Sequence, residues 1–380
     1  MKKLIAISVV FALVAGTAFA VDLGGELIGT VNVLQGNNVK DSTVDSSGNM
    51  DRFRVSGSGA NDDGTFGADV RIDGSTGGPG LPWDGTAIPG IYGSAWWKPI
   101  DQFKLWIGNN GGDGFFGKDG LTRWMFYQRI TDTGVTMGGE NAWGGGNGAG
   151  FNFGAAFFGG DGGDNAFRAT ISPADIVDIN LKIPFFNGGE VGDVIADLTA
   201  QVDLKLDFGN IAVTYTGDSS DNTNGGAYVY FNLGAVENLS LDVGIGLTLP
   251  GKADYTYPIA AGLGVKYDVN DAFGLKFRAA ASFGGDDELF KLLADVLPYY
   301  AISDSVKAFL SAGVTMLSDP NVDDPNIGFH INPYIWVGQE WGPTFWAGFK
   351  LWTDGSKGGG EKGDDGLINW SVPIAIGVSF

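Results

Sequence analysis

The chain of 380 residues has no cysteine, which excludes a disulfide framework and thiolate metal sites. Its formal net charge of −21 excludes the basic footprint that nucleic-acid binding requires. Glycine is abundant (64 residues) and aromatics make up 13%, yet after the first twenty positions no apolar run is long enough for a membrane-spanning helix.

At the amino end, Met1-Lys2-Lys3 precedes an apolar run from Leu4 to Val14 and then Ala18-Phe19-Ala20. A charged start, a short hydrophobic stretch and an A-x-A site form the plan of a secretory signal peptide, with cleavage expected after Ala20. Residues 21–380 are then expected to form one domain. Its first strand is predicted near Leu23–Val33. Downstream, period-two alternation marks Leu198–Phe208, Leu239–Leu249, Ile259–Val269, Phe273–Phe283, Val306–Met316 and Phe345–Leu351. Segments of about ten residues suit a tilted crossing of a bilayer core, whereas strands of soluble sandwiches are nearer five or six.

Short connections are predicted at Lys98–Asp101, Pro173-Ala174, Gly209-Asn210, Val236–Asn238, Val269–Ala272, Ser303–Ser305 and Gln339-Glu340. Longer stretches rich in Gly, Asp and Asn fall at 35–49, 74–89, 110–133, 185–194, 218–225, 318–326 and 353–366. Tight turns at one rim and longer loops at the other describe an up-and-down barrel. The expectation is therefore an all-β, antiparallel transmembrane barrel of 16 to 20 strands, with short periplasmic turns and longer external loops. Leu121–Ile130 breaks the alternation. The rhythm is restored if it belongs to a long loop ahead of a weak strand near Gly134–Asn141. Arg123 and Arg129 in that loop are candidates for a constriction that folds inward, the plainer reading being an external loop.

If apolar residues face lipid, the opposite parity faces the interior. That set includes Arg71, Lys104, Asp203, Lys205, Lys266, Asp268, Lys276, Arg278, Lys307 and Lys350 as pore-lining candidates. Trp106, Tyr334, Trp336, Trp346 and Trp352 share that parity, either as a wall on which sugar faces could stack or as part of an interfacial girdle. Catalytic and metal-binding signals are thin. His330 is the sole histidine and reads as a polar wall residue, since no serine lies in a recognisable nucleophile turn. One copy of a glycine- and aspartate-rich nonapeptide, Gly159–Phe167, lacks the tandem repeats that calcium binding by that motif needs. No enzyme activity, cofactor or resident metal is expected.

The last strand, Asn369–Phe380, alternates without a break and ends on an aromatic residue. It resembles the closing strand of bacterial outer-membrane barrels, whose assembly machinery reads a final aromatic and a second apolar residue two places before it. Phe380 and Val378 occupy those places, while Ala375 stands where the pattern favours glycine. The chain as a whole resembles porin-like outer-membrane proteins. Its Val21-Asp22-Leu23-Gly24 start and glycine–aromatic style are loosely similar to major surface proteins of spirochaetes. The resemblance implies a water-filled barrel passing small hydrophilic solutes. Its implied partners are outer-membrane lipid, the assembly machinery and, as an open question, further copies of itself. The alternative is a surface adhesin or antigen binding ligands through acidic external loops. A soluble secreted β-protein with an apolar core is a third reading.

Overall fold

A computed structural model describes residues 20–38, 44–74, 90–109, 166–184, 198–217, 223–234, 236–250, 259–283, 290–318, 326–338, 342–353 and 368–379. They form one antiparallel sheet that closes on itself. Chain order runs β1 (Ala20–Asn37), β2 (Asp45–Ala60), β3 (Phe66–Gly74), β4 (Gly90–Ile100), β5 (Phe103–Asn109) and β6 (Ala166–Ala174). It continues through β7 (Val177–Pro184), β8 (Thr199–Leu206), β9 (Gly209–Thr216), β10 (Thr223–Leu233), β11 (Leu239–Pro250) and β12 (Ile259–Asp268). The last seven are β13 (Phe273–Phe283), β14 (Phe290–Ser303), β15 (Val306–Ser318), β16 (Asn326–Gly338), β17 (Gly342–Gly348), β18 (Lys350–Thr353) and β19 (Ile368–Ser379).

Apart from β17 and β18, each element pairs with its neighbours in sequence, and β19 pairs with β1 from Glu26↔Ser379 to Asn37↔Asn369, so the sheet closes. A strand edge facing hydrocarbon would leave backbone groups unsatisfied, and closure removes that cost. β17 and β18 are one stave. Both pair with β16 and β19 in an unchanged register, and the gap between them falls at Phe349. The cause lies in the neighbouring strands. Phe349 N–H donates to the Pro333 carbonyl at 3.0 Å, but Pro333 has no N–H to return, and Pro373 of β19 stands opposite Gly348 in the same register. The 19 elements thus make 18 staves among the described residues.

Connections at one rim are short: 61–65, 101–102, 175–176, 207–208, 234–238, 269–272, 304–305 and 339–341. Every other connection, from the shortest at 217–222 and 284–289 to the longest at 110–165, leaves from the opposite rim. The stretches at 251–258 and 284–289 also belong to that rim, although the sequence shows no marked loop there. β5 pairs directly with β6 from Phe103↔Ile171 to Gly108↔Ala166. No strand therefore lies between them in the sheet, and Gly134–Asn141 lies outside the described residues. Leu121–Ile130, Arg123, Arg129, residues 159–165 of the Gly159–Phe167 motif and Phe380 lie outside the described residues, while Ala166 and Phe167 open β6.

The two faces of the sheet differ without exception. Along β16, Ile327, Phe329, Ile331, Ile335 and Val337 point outward while Gly328, His330, Asn332 and Tyr334 are buried inside. In β8, Val202 is 40% exposed while its neighbour Asp203 is 2% exposed. Among the described residues, no charged side chain on any strand falls on the outer face. Tyr267, Phe273, Tyr300, Phe66 and Trp97 ring the outside next to the short turns, where a membrane protein places its interfacial aromatics. A soluble protein would reverse this arrangement. At about 3.3 Å per residue and a tilt of about 45°, the 12 residues of β11 rise roughly 28 Å, close to a bilayer core. The fold is a transmembrane up-and-down β-barrel.

Candidate functional site: the inner wall

Eighteen staves spaced about 4.8 Å apart and tilted about 40° give roughly 36 Å between opposite backbones, too wide for wall side chains to meet across the middle. What the wall carries decides what the barrel can do. A polar side spans β6 to β9. Asp203 accepts from Asn180 Nδ2 at 2.7 Å and from Gln201 Nε2 at 2.8 Å, and Thr214 Oγ1 donates to Gln201 Oε1 at 2.9 Å. Lys205 pairs with Asp178 at 2.6 Å, and Ser172 Oγ donates to the same carboxylate at 2.7 Å. Cross-strand registers Asn180↔Gln201 and Asp178↔Asp203 put these groups side by side.

Further round, Asp242 accepts from Tyr230 at 2.5 Å and Asn232 at 2.7 Å. Lys266 pairs with Asp268 at 3.0 Å, and Tyr299 donates to the same aspartate. Lys276 stands opposite Lys266 and is half-buried. Arg278 has its backbone opposite Gly264 and Asp295, but its side chain lies outside the described residues. Arg71 is buried on β3. At the rim, outside the membrane-spanning staves, the Lys98 ammonium hydrogen-bonds Asp101 at 2.7 Å and holds its carboxyl below the usual carboxylate range.

The opposite side, β14 to β19, is aromatic. Tyr334 stacks on Phe309 with centroids 4.8 Å apart, Tyr299 lies 6.0 Å from Phe309, and Leu297, Trp346 and Ala375 complete the cluster. Leu297 and Phe309 were not among the sequence candidates. Leu297 shares its parity with Lys291 and Asp295 of β14, which could have marked it as a wall position, and Phe309 occupies a gap position of β15. The rings lie along the wall because glycines leave room beneath them. A Cβ on Gly67 would meet the Trp96 ring at 2.5 Å, and one on Gly377 would meet the Trp346 ring at 2.9 Å. The joint wealth of glycine and aromatics thus has a structural purpose: rings folded down onto glycine do not project into the lumen.

All five aromatic candidates face inward, but not as an open track. Tyr334 and Trp346 are buried in the cluster. Trp106 has the Lys104 ammonium 3.9 Å from its ring centroid, with the Trp96 centroid 4.1 Å from the same nitrogen. Lys307 lies 5.5 Å from the Trp336 ring and Lys350 lies 4.8 Å from Trp352. Each ring therefore already has a partner over a face or is packed away. Trp96, Arg168 and Asn180 are wall residues missing from the sequence candidates, and their registers with Trp106, Lys182 and Gln201 put them on the inner face.

His330 Nε2 lies 3.3 Å from Ser311 Oγ, a pairing set by the β15–β16 register. Ser311 has no exposed surface, so a substrate carbonyl cannot reach its oxygen in this arrangement. No group of three or more His, Asp or Glu placed to hold a metal occurs among the described residues. Val378 pairs with Leu27 of β1 and Pro343 of β17 at the closing seam.

No family model matches the chain, and no curated protein matches its sequence. Solved structures do match its fold. The anion-selective porin from Comamonas acidovorans has a TM-score of 0.54 at 13% identity, over 95% of this chain and 100% of that one. Salmonella typhi OmpF in complex with daunomycin has a TM-score of 0.55 at 10% identity, over 95% and 97%. The outer membrane channel DcaP of Acinetobacter baumannii has a TM-score of 0.54 at 9% identity, over 96% and 98%. At these identities the likeness is one of fold: the barrel is porin-like.

Proposed function

We propose that this barrel is a passive diffusion channel of a bacterial outer membrane, passing small hydrophilic solutes or ions through a water-filled lumen. The observation that carries the reading is the inversion of the sheet, with an outer face that is uncharged among the described residues around an inner face of Arg, Lys, Asp, Asn and Gln. The width of an 18-stave barrel leaves water between opposite walls. In this reading Arg71, Lys104, Asp203, Lys205, Lys266, Asp268, Lys276, Arg278, Lys307 and Lys350 line the path. Arg123 and Arg129, in the longest loop, would narrow it only where that loop folds inward, and in the plainer reading they belong to an external loop. Residues 1–20 serve export, and Val378 with Phe380 marks the chain for assembly into the membrane.

A sugar track along the aromatic side is disfavoured, because the rings already stack on one another or carry lysines. The adhesin alternative would reside in the long-rim loops, which lie outside the described residues. Liposome swelling with neutral sugars of increasing size tests the channel reading. Swelling that slows steadily with solute size supports it, and vesicles that stay as tight as protein-free controls to every sugar overturn it.

A further inference from the structure

Eight prolines lie in the described strands, and five of them sit within one residue of a strand end: Pro99, Pro173, Pro184, Pro250 and Pro343. A strand end tolerates proline because little of the ladder remains to be lost there. The other three, Pro298 of β14, Pro333 of β16 and Pro373 of β19, are interior, and the registers put them on one line round the wall. Pro298 comes opposite Leu310, where the pairing of β14 with β15 is interrupted between Val296↔Ala312 and Tyr299↔Phe309. Leu310 faces Pro333, and Pro333 faces Phe349, from whose N–H it accepts without returning one. Pro373 faces Gly348 on one side and Asn32 on the other, next to the bulge at Val33. The line thus crosses six neighbouring staves, from β14 round to β1. The pairings from β3 to β13 keep their registers except next to a strand end. Each absent N–H removes a ladder bond that would hold two strands together, so the line is a crease in the sheet. On the inner face the aromatic cluster straddles it. Leu297 lies on the long-rim side of the line, while Phe309, Tyr334, Trp346 and Ala375 lie on the short-rim side and pack with it. Apolar packing is non-directional and joins the two halves without the bonds that the prolines remove.

We propose that the wall from β14 round to β1 is hinged along this line, with the Leu297–Tyr334–Trp346 cluster as the splint that holds the hinge straight. Bending there moves the long-rim halves of these staves against their short-rim halves, which changes the cross-section of the lumen without opening the closed sheet. The polar side, β6 to β9, has no interior interruption and stays fixed.

Hydrogen exchange of the full chain, refolded in detergent micelles and read by mass spectrometry of its fragments, tests the hinge. One ladder hydrogen bond changes a local opening equilibrium by about fivefold. Amides flanking Pro298, Pro333, Phe349 and Pro373 should therefore exchange about fivefold or more faster than amides at the same depth in β11 to β13. Phe309→Ala, at the margin of the cluster, should raise exchange further along the line and leave β11 to β13 unchanged. Pro333→Ala, which gives the Phe349 carbonyl an N–H to accept from, should slow exchange around Phe349 by about fivefold. Amides along the line that are as well protected as those of β11 to β13 overturn the hinge. Exchange that rises alike in every strand of Phe309→Ala overturns the splint, and an unmoved rate around Phe349 in Pro333→Ala overturns the part assigned to proline. These readings need no conduction, so their failure leaves the channel reading standing and its failure leaves them standing.

Discussion

Ile245→Arg examines the claim that the outer face meets hydrocarbon. Ile245 lies midway along β11, between Val229 of β10 and Ala261 of β12, and is 57% exposed on the outer face. It packs against no core, so in water the substitution would cost within about 0.5 kcal/mol of zero, as surface changes usually do. In a bilayer the same side chain places a guanidinium near the midplane, at a cost of about 2–4 kcal/mol. Ile302→Arg is the matched control. Ile302 is as exposed, but it lies at the short-turn end of β14, where lipid-facing arginine costs only about 0–1 kcal/mol. Reversible guanidinium unfolding from lipid vesicles, followed by heat-modifiable mobility on gels, measures both. A 2–3 kcal/mol gap is a 30- to 150-fold difference in folding equilibrium at about 1.4 kcal/mol per tenfold. Equal stabilities for the two variants would refute the membrane assignment of this face.

Trp346→Ala, which empties the centre of the Leu297–Tyr334–Ala375 cluster, should cost about 3–5 kcal/mol in the same assay, whereas Trp97→Ala on the outer rim should cost much less. Gly209→Ala should destabilise the barrel by about 1–3 kcal/mol, because Gly209 has φ 154° and an added Cβ would fall 1.8 Å from the Asn232 carbonyl oxygen. Phe380→Asp should leave export intact but deplete heat-modifiable barrel from the outer-membrane fraction, and normal recovery there would count against the terminal assembly signal. Replacing Lys266, Lys276 and Arg278 with Glu should move the reversal potential towards cation preference, and an unmoved value with intact conductance would place these residues beyond reach of the permeating ions.

Strand parity was legible in the sequence because lipid tolerates only apolar side chains on one face. Leu239–Leu249 matches β11 to within a residue, and the last strand seals against β1 at the short-turn rim. The first strand is longer than Leu23–Val33 suggests. A bulge at Val33-Leu34 puts both side chains outward and returns Gln35 to the inner face opposite Ser371, a shift that breaks simple alternation. Pairing across strands was not legible. Lys104 and Trp106 share a parity, but that Trp96 closes over the same lysine depends on the Trp96↔Trp106 register. The same holds for Ser311 beside His330 and Phe309 on Tyr334, each fixed by the β15–β16 register. Nor could composition tell that glycines such as Gly377 and Gly67 act as floors for rings on the next strand. Parity gave the face, and only register gave the neighbours.

The claim beneath all of this is that an inverted, closed barrel encloses a path for water and ions. Single-channel recording of the purified, refolded full chain in a planar bilayer tests it most directly. The account predicts discrete, long-lived conductance steps whose size scales with bulk salt conductivity. A heat-modifiable, membrane-inserted protein that gives no steps at any salt concentration would contradict it.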